Sequence, residues 1–282
     1  MNYRHEFHAG NFADVLKHAT LARIVSHLRE KPAPFRVIDT HAGAGLYDLS
    51  GPEAARTGEW REGIGPLLKA DLAPEVSALL SPYLDAIMAL NPGGAIKLYP
   101  GSPLLLRAWL RPRDRLIACE LEPRSAAALS KNLATSTRAK VLAIDGWTAL
   151  SAYLPPKERR GLVLIDPPYE APDEFPRLAE AFKQAQRKWA NGIYLLWYPI
   201  KDRRGPDTLA KRLKALRIGK ILRAELTTVH VPAADRLTGA GLIVVNPPWP
   251  LEQELAVLLP ALAGCLAPGQ GGFRLDWLAR EI

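Results

Sequence analysis

The chain has 282 residues, room for one large α/β domain with an insertion or for two modest domains. With 48% hydrophobic and 23% charged residues and no apolar run of membrane-spanning length, it reads as neither a disordered polyelectrolyte nor a membrane-embedded protein. The net charge of +8 raises nucleic acid as a partner, because a basic surface binds phosphates and releases their counterions.

Taken in chain order, the start is polar and aromatic with no apolar signal core, so a cytoplasmic protein is expected. Residues 13–29 carry apolar side chains at helical spacing and stop in charge followed by proline. Residues 35–39 are a short buried strand running into the turn Thr40-His41-Ala42-Gly43-Ala44-Gly45. Residues 47–98 are too long for a loop and show helical periodicity at 64–68 and 76–90, which predicts a small helical insertion. The expected division is a core of 1–46 and 99–282 with 47–98 inserted. Strands follow at 116–121, 141–144, 161–165 and 193–197, alternating with helices at 124–133, 146–154, 175–189 and 208–216. Residues 221–229 and 241–245 are two more strands joined without a helix, and 252–266 is a last helix. Alternation of this kind predicts a seven-stranded, mostly parallel sheet flanked by helices, the last two strands forming a hairpin: the class I (Rossmann-like) methyltransferase layout.

The candidate chemistry sits at strand ends. The glycine turn lacks the third glycine of GxGxxG and contains no GxxxxGK[ST], so it fits a cofactor without a pyrophosphate, such as S-adenosylmethionine. Glu120, at the end of the second strand, can accept both hydroxyl protons of a ribose, although 75 residues rather than about 20 separate it from Gly45. Asp145 ends the third strand, where it can accept from an adenine amino group. Asp166-Pro167-Pro168-Tyr169 follows the apolar run 161–165. The prolines stiffen the backbone, so a carboxylate and a fixed carbonyl can take both hydrogens of an adenine amino group whose lone pair is otherwise delocalised. The aromatic ring can stack on an extruded base. Asn246-Pro247-Pro248-Trp249 matches the same pattern, but it follows the seventh strand, at the periphery of the sheet, and is read as a structural turn. His5 and His8 have no matching ligand partners, so no metal site is expected. Cys119 and Cys265, far apart in apolar surroundings, read as buried thiols of a reducing compartment. The basic stretch from Arg203 and Arg204 through Lys211, Arg212, Lys214, Arg217, Lys220 and Arg223 is, residue by residue, a solvated helix face.

Several runs resemble the bacterial RlmJ family of large-subunit ribosomal RNA adenine-N6 methyltransferases. They are Tyr3-Arg4-His5, Phe7-His8-Ala9-Gly10-Asn11, Ala13-Asp14-Val15-Leu16-Lys17-His18, Asp39-Thr40-His41-Ala42-Gly43-Ala44-Gly45, Arg56-Thr57-Gly58-Glu59, Tyr99-Pro100-Gly101-Ser102-Pro103, Asp166-Pro167-Pro168-Tyr169, Leu196-Trp197-Tyr198-Pro199 and Asn246-Pro247-Pro248-Trp249. The resemblance implies an S-adenosylmethionine site lined by His18, His41, Gly43, Ser102, Glu120, Asp145, Gly146 and Asp166. It implies Asp166, Pro167 and Tyr169 as the catalytic group, and Tyr3, His5 and Lys17 on the substrate side. The implied partner is large-subunit (23S) ribosomal RNA, with the chain acting as a monomer. The loop 230–240, with Arg236, is a further candidate RNA contact. A DNA adenine-N6 methyltransferase needs the same Asp-Pro-Pro-Tyr group but usually carries a dedicated reader for the duplex. A glutamine-directed methyltransferase would have asparagine in place of Asp166. A non-catalytic RNA-binding protein has no use for Asp166, Tyr169, Glu120 and the glycine turn together, and a nicotinamide oxidoreductase would need the missing glycine.

Overall fold

Val37 and Ile38 are consecutive, both fully buried, and belong to two different apolar clusters. A strand places successive side chains on opposite faces, so this pair requires a sheet covered on both sides. The computed structural model, which describes residues 4–228 and 237–280, shows that arrangement. An eight-stranded sheet has the strands Arg36–Asp39 (β1), Arg115–Cys119 (β4), Ala139–Leu142 (β5), Gly161–Ile165 (β6), Ile193–Ile200 (β7), Ile221–Thr227 (β8), Gly239–Val245 (β9) and Gly272–Ala279 (β10). Leu46–Asp48 (β2) and Leu98–Pro100 (β3) pair separately as an antiparallel ribbon.

The sheet order is β10-β8-β9-β7-β6-β1-β4-β5. β5, β4, β1, β6 and β7 run parallel, while β9 is antiparallel to both β7 and β8. The seven strands read from the sequence are all present. The eighth, β10, lies antiparallel on the outer edge of β8. It is absent from the sequence-based expectation even though Phe273-Arg274-Leu275-Asp276-Trp277 alternate apolar and polar, the pattern of a half-buried strand. One expectation needs correcting. The strand before Asn246 is not peripheral but interior, between β7 and β8, and because it is antiparallel Asn246 emerges at the opposite end of the sheet from Asp166. There Asn246 donates to the Ala190 and Gly192 carbonyls, both at 2.8 Å, pinning the turn to the start of β7.

On one face lie Phe12–Glu30 (α1), Pro74–Met88 (α4), Ser102–Trp109 (α5), Pro123–Leu133 (α6) and Leu251–Leu266 (α10). On the other lie Gly146–Ala152 (α7), Glu174–Lys188 (α8) and Arg204–Ala215 (α9). Between β2 and β3 the chain forms Pro52–Thr57 (α2), Ile64–Lys69 (α3) and α4, whose buried residues share the cluster of α1 and α10. α1 starts with Asn11, whose side chain accepts from the backbone N–H groups of Ala13 and Asp14. Arg23 of α1 donates bidentately to Glu254 of α10. Cys119 is buried and Cys265 half-buried.

Candidate active site

A cavity of about 670 Å³ opens at the carboxyl ends of β1, β4, β5 and β6, the position where an α/β sheet of this order leaves a crevice. Its lining includes His18, His41, Gly43, Ser102, Glu120, Asp145, Gly146, Asp166 and Pro167, together with His5 and Lys17. Tyr3 and Arg236 lie outside the described residues.

The glycine turn is held by its neighbours rather than by its own sequence. Gly43 has φ +63 and Gly45 φ +82, and a Cβ on Gly43 would come within 2.3 Å of the Tyr47 hydroxyl. The Gly43 N–H donates to Glu120 Oε2 at 2.8 Å, and the Glu122 N–H to Oε1 at 2.8 Å. Glu120 thus presents its remaining lone pairs to the cavity, and burial raises its pKa above the ordinary carboxylate value. Gly146 begins α7 against the same turn; a Cβ there would stand 2.1 Å from the Thr40 carbonyl oxygen. Asp145 pairs with Arg177 at 3.5 Å, and Arg177 lies over the Trp147 ring, which meets His41 edge to face. His41 shares a 2.8 Å hydrogen bond with the Thr40 hydroxyl. Enclosure in this packing, with Arg177 adding to it, lowers its imidazolium to about 3.

A second layer comes from α1. Lys17 Nζ donates to Asp166 Oδ2 at 2.6 Å and pairs with Asp14 Oδ1 at 2.9 Å. Asp14 Oδ2 receives the Gly10 N–H at 2.9 Å and lies 3.0 Å from His5 Nε2. Burial works against each charge, but the mutual attraction outweighs it. Asp14 is held well below the usual carboxylate range by His5 and Lys17, and Lys17 well above the usual amine range by Asp14 and Asp166. His18, one residue further along α1, hydrogen-bonds Tyr99 at 2.8 Å through Nδ1, and Tyr99 in turn meets Tyr83 at 2.9 Å. Burial drives His18 down to about 3, so it is a neutral imidazole. Asp39, fully buried at the end of β1, accepts from Ser102 at 2.7 Å, and burial lifts it to about 7.

Tyr169 adopts the left-handed conformation, φ +52, which for a non-glycine residue costs about 1–3 kcal/mol and marks a constrained position. Its hydroxyl donates to the Trp197 carbonyl at 2.8 Å, and its ring packs on Phe175 and Trp197. It stands behind Asp166 and Pro167 and is absent from the described lining of the cavity.

The donor set fits adenosylmethionine. His18 Nε2 and Asp39 Oδ1 are among the buried polar atoms with no hydrogen-bond partner among the described residues, and His18 lines the cavity. Glu120 offers acceptors where ribose hydroxyls would lie, and the Gly43 and Gly146 backbones leave no side chain in the way. Asp14, Asp39, Tyr99 and Trp197 were not singled out from the sequence. The signal for Asp14 was there: it precedes Lys17 by three residues and His18 by four, one helical face, inside a helix buried almost all round.

The likenesses agree with this geometry. A family model described as ribosomal RNA large subunit methyltransferase D, RlmJ, matches residues 32–279. The ribosomal RNA large subunit methyltransferase J of Escherichia coli is 42% identical over 284 residues, and that of Haemophilus influenzae 40% over 283, each covering 100% of both chains. A solved Legionella pneumophila protein superposes with a TM-score of 0.88 at 34% identity, over 96% of this chain and 98% of that one. A full-length match in sequence, on a class I methyltransferase sheet with its cavity at the parallel strand ends, places the chain in the RlmJ family.

Proposed function

We propose that this chain transfers a methyl group from S-adenosylmethionine to the exocyclic N6 of an adenine in large-subunit (23S) ribosomal RNA, acting as a monomer in the cytoplasm. The observation that carries the reading is the end of β6, where Asp166 and Pro167 face the cavity and Lys17 holds one oxygen of the carboxylate.

Adenosylmethionine, when bound, supplies a methyl group on a sulfonium centre. The protein's own task is to make a poor nucleophile reactive and to place it in line. With Lys17 on Asp166 Oδ2, the other oxygen, Oδ1, is left as the acceptor for an incoming amino group. A hydrogen bond from N6–H to that oxygen, and a second to the rigid Pro167 carbonyl, fixes the nitrogen and pulls its lone pair out of conjugation. The methylated nitrogen carries positive charge until it loses a proton, and Asp166 is the nearest group to receive it. Glu120, Asp145 and the Gly43–Gly146 backbone would hold the nucleoside of the cofactor, and neutral His18 and Ser102 line the same cavity and would bind its amino-acid part. The target base stacks against Tyr169, whose ring must first become accessible beside Trp197. Tyr3, His5 and Lys17 form the substrate side, and 47–98 is an insertion in a core formed by 1–46 and 99–282. The exposed large apolar side chains Leu121, Trp249 and Phe273 lie on different elements, which favours a monomer.

The test uses labelled adenosylmethionine with ribosomal RNA from a strain lacking the gene, beside duplex DNA. The expected outcome is N6-methyladenine in large-subunit RNA, abolished by Asp166→Ala. Label in DNA alone would keep the chemistry and reject the substrate. Cofactor binding with no labelled nucleic acid would reject both.

A further inference from the structure

The three loops at the amino ends of β1, β4 and β6 (residues 31–35, 110–114 and 153–160) carry six cations and only two carboxylates, so half of the net charge of +8 sits there. The loops are physically joined, since β6, β1 and β4 are neighbours and Arg111 and Arg160 both donate to the Ala33 carbonyl, at 3.1 and 2.7 Å. Both carboxylates are already engaged, Asp114 with Arg111 and Glu158 with Arg36. Arg160 is held by carbonyls alone, and burial together with the nearby Arg111 lowers its pKa. Around this pair Lys31, Arg113, Lys157 and Arg159 are exposed and have no ion-pair partner among the described residues.

The same end of the sheet holds the second Pro-Pro-aromatic motif, which the active site does not use. Trp249 is 84% exposed, beyond the turn that Asn246 fastens to β7. β9 lies three strands from β1, about 14 Å across the sheet, a span a few nucleotides of backbone can cover. An aromatic ring beside uncompensated cations is the composition of a sequence-tolerant nucleic-acid platform, cations for phosphates and the ring for a base.

We propose that this end of the sheet, opposite the cavity, is a second RNA-contacting surface, where Lys31, Arg113, Lys157 and Arg159 hold the phosphate backbone and Trp249 stacks on an unpaired base. It rests on the ribosomal RNA reading above, and it engages RNA remote from the methylated adenine. Only an RNA long enough to pass around the sheet reaches both ends at once. The consequence is avidity for full-length RNA with no change in the chemical step.

The experiment compares the wild type, a Lys31→Gln, Arg113→Gln, Lys157→Gln triple variant, and Trp249→Ala. Each is assayed on full-length 23S RNA and on a short oligonucleotide carrying only the methylated adenine and its neighbours. For the triple variant, KM for the full-length RNA should rise about tenfold, and the log–log salt slope of its filter binding should fall by about two to three. Trp249→Ala should raise the same KM severalfold. kcat on both RNAs and KM for the oligonucleotide should stay unchanged. Equal KM and equal salt slope for the triple variant and wild type on full-length RNA would overturn the proposal, and so would an equal loss on both RNAs. If the wild type methylates neither RNA, the functional reading fails on its own, while the binding slopes still decide the surface.

Discussion

Lys17 joins two carboxylates that cannot share a dry pocket without it. Lys17→Met leaves Asp14, 2% exposed, with His5 as its remaining charge partner, and removing one partner of a buried pair costs about 3–5 kcal/mol. The thermal midpoint of that variant should drop, more at pH 8 than at pH 5, where Asp14 can take a proton instead. Methyl transfer should fall by about 10²-fold or more, since Asp166 loses the group that orients it. The histidines set a different pH dependence. His18 and His41 are held at about 3 against an ordinary 6.5, so the unfolded chain binds protons that the fold refuses. The stability they leave intact above pH 6.5 is therefore lost as pH falls towards 3. Asp39, lifted from 3.8 to about 7, acts in the opposite sense: it keeps its proton in the fold, which gains stability as pH falls through 7. His27, raised by its hydrogen bonds to Glu254, and Glu120 and Glu174, raised by burial, act in the same sense as Asp39, so the share of the two histidines is read as a difference between proteins. In thermal melts a His18→Gln, His41→Asn double variant should lose less stability, or gain more, between pH 6.5 and 5 than the wild type.

The turn after β1 and the start of α7 touch through a glycine, and that contact belongs to both elements. In Gly146→Ala the new methyl would stand 2.1 Å from the Thr40 carbonyl, backbone that cannot rotate away. The turn must shift by roughly 1 Å, and adenosylmethionine affinity measured by calorimetry should fall by on the order of 10²-fold. An unchanged affinity would mean that the cofactor does not use this turn. Such couplings are what a linear reading misses. The strand-end acids Glu120 and Asp145 were visible, because each closes an apolar run at a predictable point of an alternating α/β pattern. The latch between Lys17 and Asp166 spans 149 residues and has no local signature. The closing hairpin was legible, but not which of its two strands is reversed: the two Pro-Pro-aromatic segments look alike in sequence, yet β9 runs against β6 and β7 and carries Trp249 to the far end. Their backbones differ too, the left-handed residue being Tyr169 in the first and Asn246 in the second. β10, by contrast, has a local strand signature, the apolar–polar alternation of residues 273–277.

At the scale of the molecule, β10 closes an edge that β8 would otherwise present. Arg223, 4% exposed, is clamped bidentately by Asp276 across that boundary, at 2.8 and 2.7 Å. Asp276→Ala should lower unfolding free energy in urea by about 1–3 kcal/mol, Asp276 being partly solvated, and should promote association on heating as the edge loosens. The sheet order has another cost, paid in time. β1 sits between β4 and β6, so its neighbours are made long after it: Arg115 follows Asp39 by 76 residues, an interval of roughly 4–15 s at ordinary rates of synthesis. Through that interval a nascent chain carries an apolar strand with both edges open. What it does have is α1, already complete, whose residues share the Val37 cluster. The helix that ends its career holding Asp166 begins it as a shelter for the first strand, and variants that weaken α1 should lower the yield of folded protein as well as the rate of methylation.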